Sequence, residues 1–283
     1  MLLIPTATLD AWLLEDVNMG DLTTRTLGLA HTPGEMTFRC RHDVCVSGVI
    51  AAKAVLARLE LTVVASLNEG DLATAGSVLL QVQGPVERLQ QGWKVAQNIL
   101  EWACGVATQT HQMVALARSI NPKVNLACTR KSIPGTRLLA TQAILAGGAV
   151  IHRAGTAETI LLFANHRHFL ADPHDWVAHV AQLRAGAPET KIIVEADTLA
   201  EAKAAYQAQP DVIQLDKFSC ADAAKIKAYC EAGPHAVTLS LAGGINLATV
   251  AEYAATGINV LVTSSPYYAK PADVGVRLQP LPV

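Results

Sequence analysis

Four basic side chains fall in two adjacent pairs, Arg130-Lys131 and His152-Arg153, and each pair lies just after a short apolar run. Two carboxylates, Glu195 and Asp216, close two further runs, KIIVE (191–195) and DVIQLD (211–216). Gly243-Gly244 follows a fifth run, and Thr263-Ser264-Ser265 follows a sixth. Guanidinium forks match carboxylate and phosphate oxygens two at a time, so the four bases together suit a multiply anionic ligand rather than scattered surface ion pairs. Glu195 and Asp216 beside such a ligand suit Mg²⁺, which takes one or two carboxylates together with phosphate oxygens and water. They suit sugar hydroxyls equally well, or would simply balance the bases. The bare backbone N–H groups of Leu241-Ala242-Gly243-Gly244-Ile245, ahead of an expected helix, and the hydroxyls of 263–265 suit phosphate.

These residues can meet only if the runs before them are parallel strands that finish at one rim. From about residue 123 the pattern fits. Strand candidates are 124–127, 149–151, 191–195, 211–216, 237–240 and 259–263; helix candidates are 135–146, 156–164, 174–185, 198–208, 221–232 and 247–256. Alternating strands and helices predict a parallel sheet. No GxGxxG opens the first turn, which favours an α/β barrel over a dinucleotide-binding sheet. In such barrels the carboxyl ends of the strands carry the chemistry.

The first 110 residues read differently. Residues 36–50, 61–67 and 78–83 have strand composition, with a helix at 51–59 between them, an α+β pattern. A helix is expected from Gly84-Pro85 to Gly105, with Val86, Leu89, Trp93, Ala96, Leu100 and Ala103 as its apolar stripe, and a second helix over 107–119. The expected fold class is α/β: an N-terminal α+β sandwich domain over 1–110, then an incomplete α/β barrel over 111–269. The tail, 270–283, is expected to return to the first domain.

Composition narrows the function. The chain of 283 residues has 22 Lys plus Arg against 24 Asp plus Glu, so no basic excess supports bulk nucleic-acid binding. Hydrophobic residues at 51% rule out a disordered chain. The N-terminal stretch, broken by Pro5 and Asp10, reads as neither signal peptide nor anchor, and the cytoplasm is the expected compartment. The six cysteines are scattered without a CxxC pair, which fits reduced thiols and gives no zinc site of the usual spacing. Cys128 reads as an idle thiol, His166-Arg167-His168 as a polar loop after a helix, and Trp93 and Trp102 as packing or dimer contacts.

Taken in order, these motifs resemble the type II phosphoribosyltransferases, above all the quinolinate phosphoribosyltransferase family. Residues 15–24 (EDVNMGDLTT) resemble the family's EDxxxGDxT, and Cys104–Thr108 its SGIAT. Residues 129–137 (TRKSIPGTR) resemble TRKTxPGLR, and Gly147-Gly148 through Arg153 resemble GGGxNHR. Glu195, Asp216 and Gly243-Gly244-Ile245 are similar to the VEVE, MLDN and SGGI segments. The resemblance spans nearly the whole chain. It implies phosphoribosyl transfer from phosphoribosyl pyrophosphate to an anionic aromatic acid in a homodimer with shared sites. Lys131, Glu195 and Asp216 would be catalytic. Lys94, Arg130, Lys131, His152, Arg153 and Phe163 would hold the substrate, and Gly243, Gly244, Ser264 and Ser265 the phosphate. Mg²⁺ would sit on Glu195 and Asp216.

The departures from the family pattern fall mostly on the acceptor side. Lys94 stands where the family has Arg, Phe163 where it has Lys, Cys128 where it has Asp, and Ile151 where it has Asn. Ser240 and Ala242 replace Glu and Ser, and Lys217 replaces the Asn after the barrel Asp. The pattern is closest to the family's paralogues found beside molybdate-transport genes. Two expectations follow: a phosphoribosyltransferase of altered acceptor specificity, a pyrophosphorylase for quinolinate or a related acid, or a non-catalytic ligand-binding paralogue.

Overall fold

The computed structural model describes residues 3–281; the ends of the N-terminal stretch and of the tail, 1–2 and 282–283, lie outside the described residues. The first elements are α1 (Thr6–Asp16), α2 (Leu22–Thr26), β1 (Pro33–Cys40), β2 (Val44–Cys45), α3 (Val49–Arg58), β3 (Thr62–Ser66), β4 (Leu72–Ala73), β5 (Val78–Pro85) and α4 (Val86–Ile120). Then come β6 (Asn125–Cys128), α5 (Arg137–Ala146), β7 (Val150–Ile151), β8 (Ile160–Leu162), α6 (Ala164–Arg167), α7 (Trp176–Gly186), β9 (Ile192–Ala196) and α8 (Leu199–Gln207). The chain ends with β10 (Val212–Asp216), α9 (Cys220–Ala232), β11 (Thr238–Ala242), α10 (Val250–Ala255), β12 (Val260–Thr263) and β13 (Val274–Pro280). Among the described residues no helix is long and apolar enough to cross a membrane.

The chain forms two compact units. One holds the residues up to His111, Ser132–Gly148 and those from Pro266 onward; the other holds Gln112–Lys131 and Ala149–Ser265. The first is built on an antiparallel sheet in the order β13-β1-β5-β3. Met36, Phe38 and Cys40 alternate along β1 and are buried, as are Leu80 and Val82 of β5, the period-2 signature of a sheet with one face inward. Val274–Pro280 pairs with β1 from Cys40 back to Gly34.

Two sequence expectations change in this unit. The break expected at Gly105 is absent, and α4 runs unbroken over 35 residues. Gly105 serves packing instead: a Cβ there would stand 2.4 Å from the carbonyl oxygen of Lys270. The segment 132–148, expected with the barrel, packs in the first unit. A Cβ on Gly147 would meet Thr110 Cβ at 2.5 Å and Ala107 O at 2.7 Å, and Cys45 Sγ reaches Ala146 O at 3.5 Å.

The second unit is a seven-stranded parallel sheet in the order β7-β6-β12-β11-β10-β9-β8. Residues 156–164 do not form the expected helix. Ile160, Leu161 and Leu162 instead pair with Ile192, Ile193 and Val194. Three apolar residues cannot display an alternation, so only the partner strand decides their state. Among the described residues the edge strands β7 and β8 are not paired with each other, so the barrel is incomplete. His166 and Arg167, expected in a loop, belong to the short α6, and Arg167 is buried over the Trp176 ring with an ion pair to Glu201 at 3.2 Å.

Candidate active site

Sheet order sets the chemistry at the carboxyl rim. Reading across it, β7 and β6 deliver His152, Arg153, Arg130 and Lys131. Next, β12 and β11 deliver Thr263-Ser264-Ser265 and Gly243-Gly244, and β10 and β9 deliver Asp216 and Glu195. All of them line one cavity of about 850 Å³ in the second unit. Cations and carboxylates therefore stand on opposite flanks, with glycines and hydroxyls between them.

Backbone bonds just beyond the strands hold these residues. Thr129 N donates to Thr263 O at 2.9 Å, His152 N to Cys128 O at 2.9 Å, and Lys217 N to Ala242 O at 2.7 Å. Thr263 Oγ1 donates to Ile245 O at 2.6 Å and accepts from Ser265 N at 3.0 Å, which ties the hydroxyl turn to the glycine turn. The glycine turn does not lead straight into a helix as expected. α10 starts only at Val250, and Asn246 and Thr249 brace the intervening bend through Gly244 O at 3.3 and 2.9 Å. Beneath the rim, Ala127, Ala242 and Val262 form a buried layer of small side chains that leaves the cavity open.

The acidic flank has a built floor. Glu195, Gln214 and Ser240 are aligned in register on three neighbouring strands and so share one face, with Asp216 two residues beyond Gln214. Gln214 Nε2 donates to Glu195 Oε2 at 2.6 Å, while Gln214 Oε1 and Ser240 Oγ are buried without partners among the described residues. The two carboxylates could hold a divalent cation in company with ligand phosphates. Asp216 Oδ2, however, already receives the Lys217 ammonium at 3.0 Å. Among the described residues no group of three or more His, Cys, Asp or Glu is arranged to hold a metal by itself.

Burial raises the Glu195 pKa above the ordinary carboxylate range; the Gln214 hydrogen bond opposes this, and the charges of Asp216 and Asp197 add to it. Ionised Glu195 therefore costs stability above its raised pKa and nothing below the ordinary carboxylate value. Glu195→Gln is expected to melt higher than wild type at neutral pH, with the gain fading as pH falls through the raised value. Parallel melting curves from acid to neutral pH check this, and an advantage that persists in acid would contradict it.

On the basic flank, His152 is half-buried, and burial first and Arg153 second lower its pKa, so it is neutral at neutral pH. Burial, then the charge of Arg130, lowers that of Arg153. Arg153 is not free to grip a ligand with its whole fork. Its Nη2 donates to Thr159 O at 2.9 Å and Thr156 O at 3.2 Å, fastening the 154–159 loop that bridges the unpaired edges β7 and β8. Arg153→Ala is expected to cost about 1–2 kcal/mol of stability and to speed amide exchange over 154–159 selectively. Exchange measured peptide by peptide tests it.

One residue expected at the substrate lies elsewhere. Phe163 does not line the cavity: it precedes α6 and meets the His166 ring edge-on at 4.5 Å. Lys94 lies on α4 in the first unit, donating to Gln97 Oε1 at 2.7 Å with its ammonium 4.1 Å from the Trp93 ring. Cys128 is buried, and burial pushes its thiol up to about 12, so it is no nucleophile at neutral pH. Gln214 and Lys217 are additions to the site. Alternation along 211–216 could have found Gln214, which shares the face of Asp216; Lys217 is marked only by standing where the family has Asn.

Comparison with known proteins fits this arrangement. The description "Quinolinate phosphoribosyl transferase, C-terminal domain" matches residues 106–277, and its N-terminal counterpart matches 21–104. A protein of Escherichia coli O157:H7 named "Putative pyrophosphorylase ModD" is 55% identical over 281 residues, 99% of each chain. The nicotinate-nucleotide pyrophosphorylase (carboxylating) of Mycobacterium leprae is 29% identical, with 93% of each chain covered. The crystal structure of NadC from Streptococcus pyogenes matches with a TM-score of 0.90 at 26% identity over the full length of both chains.

Proposed function

The chain belongs to the quinolinate phosphoribosyl transferase family, and on that premise we propose that it moves a phosphoribosyl group from phosphoribosyl pyrophosphate to the ring nitrogen of a small anionic aromatic acid, quinolinate or a relative of it. The observation that carries this reading is the single cavity in which Arg130, Lys131 and His152 face Glu195 and Asp216 across the Gly243-Gly244 and Ser264-Ser265 turns. The C1–O bond to pyrophosphate breaks, pyrophosphate leaves with the electron pair, and the ring nitrogen forms the new C1–N bond.

Each flank has a part. Arg130 and Lys131 draw in the acid and fix its plane, and neutral His152 supplies a further polar contact. Backbone N–H groups at Gly243 and Gly244 and the hydroxyls of Ser264 and Ser265 hold phosphate. Glu195 and Asp216 orient the ribose hydroxyls and stabilise positive charge that develops at C1, so positioning and electrostatics supply the rate. Mg²⁺, held by Glu195 and Asp216 with the diphosphate, would supply charge neutralisation for the leaving group. A homodimer is part of the proposal, with Lys94 reaching the site of the neighbouring copy as the family resemblance implies.

The test is pyrophosphate release from purified protein with phosphoribosyl pyrophosphate, Mg²⁺ and a panel of quinolinate, nicotinate and related acids. Release with quinolinate supports the parent reaction, and release with another acid alone supports a shifted acceptor. Silence across the panel while phosphoribosyl pyrophosphate still binds favours the ligand-binding reading. Molybdate belongs in that binding assay as an oxyanion probe.

A further inference from the structure

We infer that Lys217 is a resident cation of the diphosphate site: its stem passes the glycine turn, its ammonium rests on Asp216, and it supplies charge that a diphosphate would otherwise draw from a bound metal ion. The inference rests on the phosphoribosyl pyrophosphate reading above and reassigns to Lys217 the charge-neutralising part that the reading gives to Mg²⁺.

Three observations place the ammonium. First, Lys217 Nζ lies 3.0 Å from Asp216 Oδ2 inside the rim of the cavity. Second, its backbone is pinned in an unusual state. Lys217 has φ +57°, in the left-handed region that few non-glycine residues enter, and its N–H donates to Ala242 O at 2.7 Å across the β10–β11 boundary. Strain of this kind persists only where the surroundings enforce it. Third, the stem crosses the glycine turn. A Cβ on Gly243 would stand 2.7 Å from Lys217 Cγ, so the bare glycine is what lets the stem pass. The side chain is therefore led from β10 over the proposed phosphate turn and back to Asp216.

The surroundings fit a substitute for a metal better than an ornament on it. Glu195, Asp197 and Asp216 all act on this ammonium electrostatically. Asp216 Oδ2 is already engaged by this ammonium, so an ion on the carboxylate pair would first have to displace it. The side chain is 81% exposed, so the ammonium can leave Asp216 for an incoming phosphate oxygen without first being dragged out of a buried site.

The test is calorimetric binding of inorganic pyrophosphate to wild type, Lys217→Asn and Lys217→Arg, in EDTA and in saturating Mg²⁺. Asn tolerates the left-handed backbone, so the fold should survive, and an unchanged melting temperature confirms that. Wild type is expected to bind pyrophosphate in EDTA, with Mg²⁺ improving its affinity by less than about threefold. Lys217→Asn should lose about tenfold in EDTA, the scale of one charge-assisted hydrogen bond, and recover most of it in Mg²⁺. Lys217→Arg should stay near wild type. If wild type binds only with Mg²⁺, or responds to Mg²⁺ as steeply as Lys217→Asn, the inference fails while the proposed function stands. If no variant binds pyrophosphate in either condition, both fail together.

Discussion

Replacing Asp216 with alanine, and separately Glu195 with alanine, is expected to cut pyrophosphate release by a hundredfold to a thousandfold, the range seen when one preorganised electrostatic group is removed from a reacting centre. The two carboxylates stand on neighbouring parallel strands, with Gln214 aligned with Glu195 and Asp216 two residues further along the same face. Asp216 meets an exposed lysine, and Glu195 accepts from the buried Gln214 at a site where its own charge is costly. Both variants should keep their secondary structure; Glu195→Ala sheds a costly charge but leaves the buried Gln214 Nε2 without its acceptor, so any fall in its melting temperature at neutral pH should be small. Activity within tenfold of wild type in both variants would remove the carboxylates from the mechanism. Loss of activity together with loss of folding in both would show instead that they hold the sheet.

Gly243→Ala is expected to cause the largest loss that a single methyl group can produce in this site. The residue has φ +91°, where an L side chain is strained, at a cost of about 1–3 kcal/mol. The added Cβ would also lie 2.7 Å from Lys217 Cγ and 2.9 Å from Lys217 N, and that nitrogen cannot retreat without breaking its bond to Ala242 O. The combined loss should be about 2–4 kcal/mol, a fall of several degrees in Tm. Pyrophosphate affinity should drop by about tenfold or more as the turn shifts. Gly76→Ala is the control. Gly76 has φ +86° but open space around its missing Cβ, so that variant should show the strain alone. If both variants melt alike and Gly243→Ala binds pyrophosphate normally, the turn is only a turn.

Much of the candidate site is legible in the order of residues alone. Arg130, Lys131, His152, Arg153, Glu195, Asp216 and the two turns are marked by position, each following a short apolar run. Parallel strands buried on both faces read as apolar runs, and the polar residue that ends a run marks its rim. The order of motifs along the chain then implies the family. What stays hidden depends on partners distant in sequence. Residues 160–162 form a strand because β9 is there to pair with them, and Gly105 stays helical because its missing side chain admits the chain near Lys270. Phe163 reads as a substrate residue by its place in a motif, yet packing turns it onto His166.

The sequence by itself thus determined which groups reach the rim and that bases, carboxylates, glycines and hydroxyls meet there, because strand period and strand ends are written locally. Only the tertiary structure decided how those groups are engaged. It tied Arg153 to its loop, set Gln214 beneath Glu195, and led Lys217 over Gly243 to Asp216. Those engagements depend on strand register and on close approach of backbones, and both arise from packing between segments that no local pattern of residues specifies.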